Sequence, residues 1–167
     1  LNTLKELIKT AQERGQLHLG GDARATKGGS SSQEHVIRKL SAAELLELTT
    51  RVSTEAKPLK GGVLAVFGKL KSRLYFNPKN LVLSSIAHFS GFSAGLSFVN
   101  TWNQKHRFGR LYLDDDGDIT IESELDLEPG VRREALMAWV KGYGVLINLL
   151  HQQLVRWEQE NKGKGGS

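Results

Sequence analysis

The sequence predicts an α+β fold: a twisted antiparallel sheet of about five strands with helices packed on one face. Three observations carry this. Residues 108–127 alternate with period two around an acidic turn. Phe108, Arg110 and Tyr112 alternate with Gly109, Leu111 and Leu113. Beyond Asp114–Asp118, Ile119, Ile121, Ser123, Leu125 and Leu127 alternate with Thr120, Glu122, Glu124, Asp126 and Glu128. Two such arms around an Asp-Gly turn signal a hairpin. The second arm has one apolar and one acidic face, so its sheet is covered on one side only. The second observation is the long apolar stripe from Val131 to Asn161, at helical spacing. The third is a group of three short apolar runs between Gly62 and Phe89, separated by turn residues.

In chain order, residues 1–19 read as an amphipathic helix. Thr3 and Glu6 make a capping-box pair, and Leu4, Leu7, Ile8 and Ala11 share a stripe. Residues 20–34 are rich in Gly and Ser and read as a flexible linker. The GGSSS run resembles an engineered spacer, and the closing GKGGS, within a disordered tail at 162–167, resembles a scar. Residues 1–19 are therefore read either as a tethered client peptide or as a native extension. The chain opens on Leu1 rather than Met, which suggests a trimmed or processed chain, and no intact signal peptide is visible.

The folded domain spans residues 35–161. Ser41 to Ala56 reads as a helix with Ser41 and Glu44 as its capping box, ended by Pro58 and Gly61-Gly62. Strands follow at Val63–Phe67, Arg73–Phe76 and Leu81–His88, the last two joined by an Asn77-Pro78 turn. Phe92 to His106 is helical, then the hairpin, then the closing helix behind Pro129. The order is α-β-β-β-α-β-β-α. Gly142 and Gly144 interrupt the closing helix, and either internal packing or a dimer seam explains them.

Composition sets the limits. There are no cysteines, so disulfides and thiolate zinc sites are excluded. No run approaches the ~20 apolar residues of a membrane helix. Charge is segregated: nine Lys or Arg and no acid lie between Ala56 and Leu113, then eight acids and no base between Asp114 and Glu128. If the sheet keeps these apart, the domain has a basic side and an acidic hairpin, and such fields steer partners of opposite sign.

Four constellations bear on chemistry. Gly91-Phe92-Ser93-Ala94-Gly95 fits the G-x-S-x-G elbow of serine hydrolases, between a strand and a helix, with acids and His151 following in order. Against it, that scaffold needs a parallel sheet, and these strands read as hairpins. The acidic turn resembles a calcium loop until spacing is checked: with Gly117 sixth, Tyr112 would stand first and Ser123 twelfth, where carboxylates are needed. The five histidines have no metal-pair spacing. Lys57, Lys60, Lys69, Lys71, Arg73 and Lys79 lie among Phe67, Tyr75 and Phe76, a mixture that can bind nucleic acid. However, Phe67 and Phe76 are expected in the core.

The run Val99-Asn100-Thr101-Trp102-Asn103 followed by Arg107-Phe108-Gly109-Arg110-Leu111-Tyr112-Leu113-Asp114 resembles the YbjN family, over roughly Ser41 to Glu160. The resemblance implies a fold similar to type III secretion chaperones. It also implies a non-enzymatic chaperone or assembly adaptor without cofactor or metal, cytoplasmic or in a plastid stroma. Its partner would be a helical or extended protein segment of acidic character, with a homodimer also expected. Relatives of this kind in cyanobacteria assist carboxysome shell assembly. The partner-binding residues expected are Leu45, Leu48, Val52, Val63, Ala65, Phe67, Lys69, Lys71, Arg73 and Tyr75. Trp102, Asn103, Arg107, Phe108, Arg110 and Tyr112 form the family motif, with Trp102 and Phe108 expected in the core and Arg107 and Arg110 placed to pair with the acidic strand.

Overall fold

A computed structural model of the protein describes residues 36–161. The expected helix at 1–19, the linker at 20–34 and the tail at 162–167 lie outside the described residues. The elements are β1 (Val36–Ile37), α1 (Ala42–Thr50), β2 (Glu55–Leu59), β3 (Gly62–Phe67), β4 (Leu70–Asn77), β5 (Val82–Phe89), α2 (Leu96–Lys105), β6 (Arg110–Leu113), β7 (Ile119–Asp126), β8 (Val131–Arg132) and α3 (Arg133–Asn161). Six strands form one sheet in the order β2-β3-β4-β5-β7-β6, every pair antiparallel. β1 and β8 make a separate two-stranded pair. The α+β class holds, with one main-sheet strand more than expected.

The extra strand is β2, and it corrects the helix expected over 41–56. The Ser41 box forms: the Glu44 N–H donates to Ser41 Oγ at 3.2 Å, and the Ser41 N–H donates to Glu44 Oε2 at 2.8 Å. The helix nonetheless stops at Thr50. Thr49, Thr50 and Ser53 turn their hydroxyls back onto carbonyls four residues earlier, a local competition that favours helix ends. Residues 55–59 then pair with β3 through a two-residue turn, Leu59 facing Gly62 and Gly61 at φ 76°. Pro58 is tolerated because β2 is an edge strand. The helix expected from Phe92 likewise begins later, at Leu96, after a Gly91–Gly95 approach.

All three helices cover one face of the sheet. α3 lays Leu136, Val140, Tyr143, Ile147, Leu150 and Leu154 on it; α1 adds Leu45 and Leu48, and α2 adds Phe98, Val99 and Trp102. They meet Val63, Ala65, Phe67, Leu74, Leu83, Ala87, Ile119 and Ile121 in one core. At about 1.5–3 kcal/mol per fully buried large apolar side chain, this contact holds the layers together. Gly144 belongs to it: a Cβ there would lie 2.3 Å from Phe67 Cδ1. Internal packing therefore accounts for Gly144.

Candidate partner-binding surface

The helices leave the other face of the sheet bare. Strand register puts one row of side chains straight across it. Lys57 faces Leu64, Leu64 faces Arg73, Arg73 faces Ile86, Ile86 faces Glu122, and Glu122 faces Arg110. On one side of this row stand Val66 and Lys71, and on the other Tyr75, Ser84 and Glu124. The charge layout expected from sequence is thus built into one surface: cations over β2–β4, an apolar centre of Leu64, Ile86 and Tyr75, and acids over β7. A shallow depression of about 640 Å3 lies at the centre, among Leu59, Leu64, Lys71, Arg73, Tyr75 and Ile86.

Lys57 is paired with Glu55 beside it on β2, which leaves Lys71 and Arg73 as the cations that face outward. The Arg73 guanidinium donates to the Lys60 carbonyl at 3.1 Å and has no carboxylate partner among the described residues. On the acidic side, Arg110 pairs with Glu122 at 3.5 Å, the cross-strand contact expected of it. Arg107 is exposed and makes no such pair.

One corner of the face is knotted rather than open. His88 Nδ1 lies 2.8 Å from Thr120 Oγ1, and the Thr120 hydroxyl donates to Asp114 Oδ2 at 3.3 Å. Burial pulls the Asp114 carboxyl upward. The N–H groups of Asp118 and Asp116, the Thr120 hydroxyl and His88 outweigh it and hold the pKa below the ordinary 3.8. Burial, then the neighbouring Glu122 charge, raises the Tyr112 hydroxyl above its usual value. Asp114 Oδ1 accepts the Asp116 and Asp118 N–H groups at 3.2 and 2.9 Å, closing the turn with Gly117 at φ 81°. The acidic turn is thus a self-capped hairpin turn. No cluster that would hold a metal occurs among the described residues.

Neither edge of the sheet is a good template for strand addition. On β6, Asn103 clamps the outward polar groups of Leu111. Its Nδ2 donates to the Leu111 carbonyl at 3.0 Å, and its Oδ1 accepts the Leu111 N–H at 2.9 Å. On β2, Pro58 removes a donor and Lys57 adds charge. Recognition by an added strand is therefore disfavoured, and the bare face remains.

The expected binding residues divide sharply. Leu45, Leu48, Val63, Ala65 and Phe67 are buried in the core, and Val52 packs half-buried against it. The groove expected between the first helix and first strands is already filled by the protein itself. Lys69 is exposed in the β3–β4 turn. Lys71, Arg73 and Tyr75 lie together on the bare face, joined by Leu64 and Ile86, which sequence reasoning missed. The signal for those two was their alternation out of phase with Val63, Ala65, Leu74 and Ala87.

Among motif residues, Trp102 is 2% exposed, and its Nε1 donates to the Gly109 carbonyl at 3.2 Å. Gly109 has φ 80° and no room for a Cβ against Leu146. Phe108 corrects the core expectation. It precedes β6, outside the ladder, and is 75% exposed. Tyr112 is half-buried on the bare face.

Two alternatives lose their geometric basis. Ser93 donates its hydroxyl to Glu158 Oε1 at 2.7 Å, and its N–H meets the same oxygen. The adjoining His151 packs on Phe89 and Phe92. The sheet around Ser93 is antiparallel throughout, not the parallel scaffold of a nucleophile elbow. Of the aromatics weighed for base stacking, Phe67 and Phe76 face the core, and only Tyr75 shares the face with the cations.

No helix among the described residues is long and apolar enough to cross a membrane. No curated protein matches the chain. Among solved structures, the Yersinia pestis type III secretion chaperone SycH, in complex with a stable fragment of YscM2, is similar at 18% identity and a TM-score of 0.46. That match covers 67% of this chain and 96% of the other. Residues 82–144, from β5 into α3, match the YbjN family model, described as "Putative bacterial sensory transduction regulator", so over that stretch the chain is similar to the YbjN family, as its helix-end and strand motif implied.

Proposed function

We propose that the chain is a non-enzymatic binding module of chaperone or adaptor type. It holds a short acidic, amphipathic segment of a partner protein across the bare face of its sheet. The observation that carries this is the row Leu64–Arg73–Ile86 with Lys71 beside it: apolar side chains flanked by cations, on a face that no helix covers. Apolar anchors supply affinity, and the cations select an acidic partner and speed its arrival. The acids of β7 orient the segment by repelling its acidic end and exclude polyanions, which disfavours nucleic acid. Assembly of a shell such as the carboxysome is the setting the family resemblance suggests, and it rests on that resemblance alone.

The reading is tested by calorimetric titration of the chain with a synthetic acidic amphipathic peptide, at low and high salt. Binding in the micromolar range that weakens with salt supports it, since partly exposed charges are screened beyond a Debye length of about 8 Å at physiological ionic strength. Tight binding of mixed oligonucleotides with no binding of the peptide contradicts it.

A further inference from the structure

Between α3 and the start of β6 the fold leaves an apolar pocket of about 220 Å3, lined by Phe108, Ser123, Trp139, Gly142, Tyr143 and Leu146. It lies on the helix-covered side of the sheet, because Ser123 shares its strand face with the buried Ile121. Strand register opens it from one side. β6 pairs with β7 only from Ile119 to Glu122, so Ser123 is the first β7 residue beyond that ladder. Gly109, at φ 80°, redirects the chain just before β6 and packs so closely that a Cβ there would lie 2.5 Å from Leu146 Cδ2. Gly142 opens the pocket from the other side, with nothing within 4 Å of where its Cβ would stand.

Two features separate this pocket from a packing gap. Ser123 is 9% exposed, yet its hydroxyl makes no hydrogen bond with any described residue. Buried hydroxyls are ordinarily paired, and Ser72 and Ser85 on the same side of the sheet donate theirs to the Ile86 and Ser123 carbonyls, at 2.8 and 3.3 Å. The pocket therefore has one unclaimed polar group at its floor. At its mouth stands Phe108, 75% exposed on a fixed backbone, since Trp102 Nε1 donates to the adjoining Gly109 carbonyl at 3.2 Å. The walls are ring faces. Trp139 and Tyr143 stack at 6.4 Å and 19°, and the Tyr143 hydroxyl is turned away, donating to the Ile121 carbonyl at 3.3 Å. None of the lining side chains is charged. Lys141 of the same helix points about 150° from the mean direction of the four α3 residues that line the pocket.

We propose that this pocket binds a small, neutral aromatic molecule of indole size, whose N–H or O–H donates to Ser123 Oγ. Volume sets the size: an apolar cavity of about 150 Å3 takes up benzene, so about 220 Å3 suits a fused pair of rings. The uncharged lining sets the neutrality, because a charge buried there would have no partner. The Trp139, Tyr143 and Phe108 rings favour an aromatic guest, which can meet them offset or edge-to-face. The unpaired hydroxyl selects a guest with one donor over a plain hydrocarbon. Phe108 favours a free molecule, since its exposed ring can lie over a small guest, whereas a side chain still attached to a partner's backbone would hold the mouth open. The site is on the opposite side of the sheet from Lys71 and Arg73, so it is independent of the partner-binding face.

The test is titration of the full chain with indole and with indene, which has the same shape and no N–H, followed by calorimetry and amide correlation spectra. Indole is expected to bind with a Kd of about 0.1 mM and to shift the Trp139 side-chain and Gly142 N–H signals while leaving Arg73 on the bare face unmoved. Ser123→Ala is expected to weaken indole about fivefold, as for one neutral hydrogen bond, and to leave indene unchanged. Gly142→Leu, which fills the pocket, is expected to abolish binding of both rings, with the circular dichroism spectrum unchanged and a melting temperature no lower than the wild type's, because Leu favours helix over Gly. Absence of binding by either ring at about 1 mM, tenfold above the expected Kd, overturns the proposal. So does binding that Gly142→Leu leaves intact, or a Ser123→Ala variant that loses indole and indene equally. A chain that ignores both rings but takes a tryptophan-containing peptide, with Gly142→Leu blocking it, also overturns the proposal by assigning the pocket to a partner's side chain.

Discussion

Replacing Asn103 by Ala removes both hydrogen bonds to the backbone of Leu111, at 3.0 and 2.9 Å, and touches nothing else in the sheet. Each bond contributes about 1 kcal/mol net, so the loss is about 2 kcal/mol. Position 103 lies inside α2, where Ala is a better helix former than Asn by about 0.5 kcal/mol. The net destabilisation is therefore about 1.5 kcal/mol, or about 5–8 °C in Tm for a domain of this size. Urea unfolding followed by circular dichroism measures it. Amide hydrogen exchange gives a second, local readout: the Leu111 N–H should exchange much faster, while Ile121 on β7 stays protected. If Asn103→Ala changes stability by less than about 0.5 kcal/mol and leaves Leu111 protected, the clamp is not what closes the β6 edge.

Two glycines of α3 should respond oppositely. Gly142→Ala, measured at low protein concentration, stabilises by up to about 1 kcal/mol through helix propensity, whereas Gly144→Ala drives a Cβ into Phe67 and costs about 1–2 kcal/mol net. Thermal melts of both variants check this, and equal shifts would count against it. Asp114 makes the domain acid-sensitive. Its folded pKa lies below the ordinary 3.8, so its contribution is complete above that value and is lost as pH falls through the folded pKa. Asp114→Asn should therefore flatten the acid limb of the stability curve below about pH 4, and superimposable acid limbs would refute the role.

The hairpin and α3 were legible because period-two and period-3.6 patterns there run uninterrupted. β2 was not: Glu-Ala-Lys-Pro-Leu has no apolar alternation and contains a proline, and only the tight turn to β3 makes it a strand. Phe108 was misplaced because the alternation was extended two residues beyond the ladder, which begins at Arg110. The binding surface was half legible. Lys71, Arg73 and Tyr75 stood out by charge and ring, but an apolar stripe states that Leu45, Leu48 and Val63 are covered without stating by what. Here the cover is the protein's own sheet and helices. Leu64 and Ile86 became visible only when strand register set them beside Arg73.

The central claim is that the bare face selects an acidic segment through Lys71 and Arg73. The most direct measurement compares the wild-type chain and a Lys71→Glu/Arg73→Glu variant, each titrated with an acidic amphipathic peptide and with its charge-inverted counterpart. Both sites are exposed, so folding should be unaffected. The wild type should bind the acidic peptide at least about tenfold more tightly than the inverted one, and the variant should reverse the order, as reversing two close charges predicts. Equal affinity of both proteins for both peptides would show that the face takes no part in recognition.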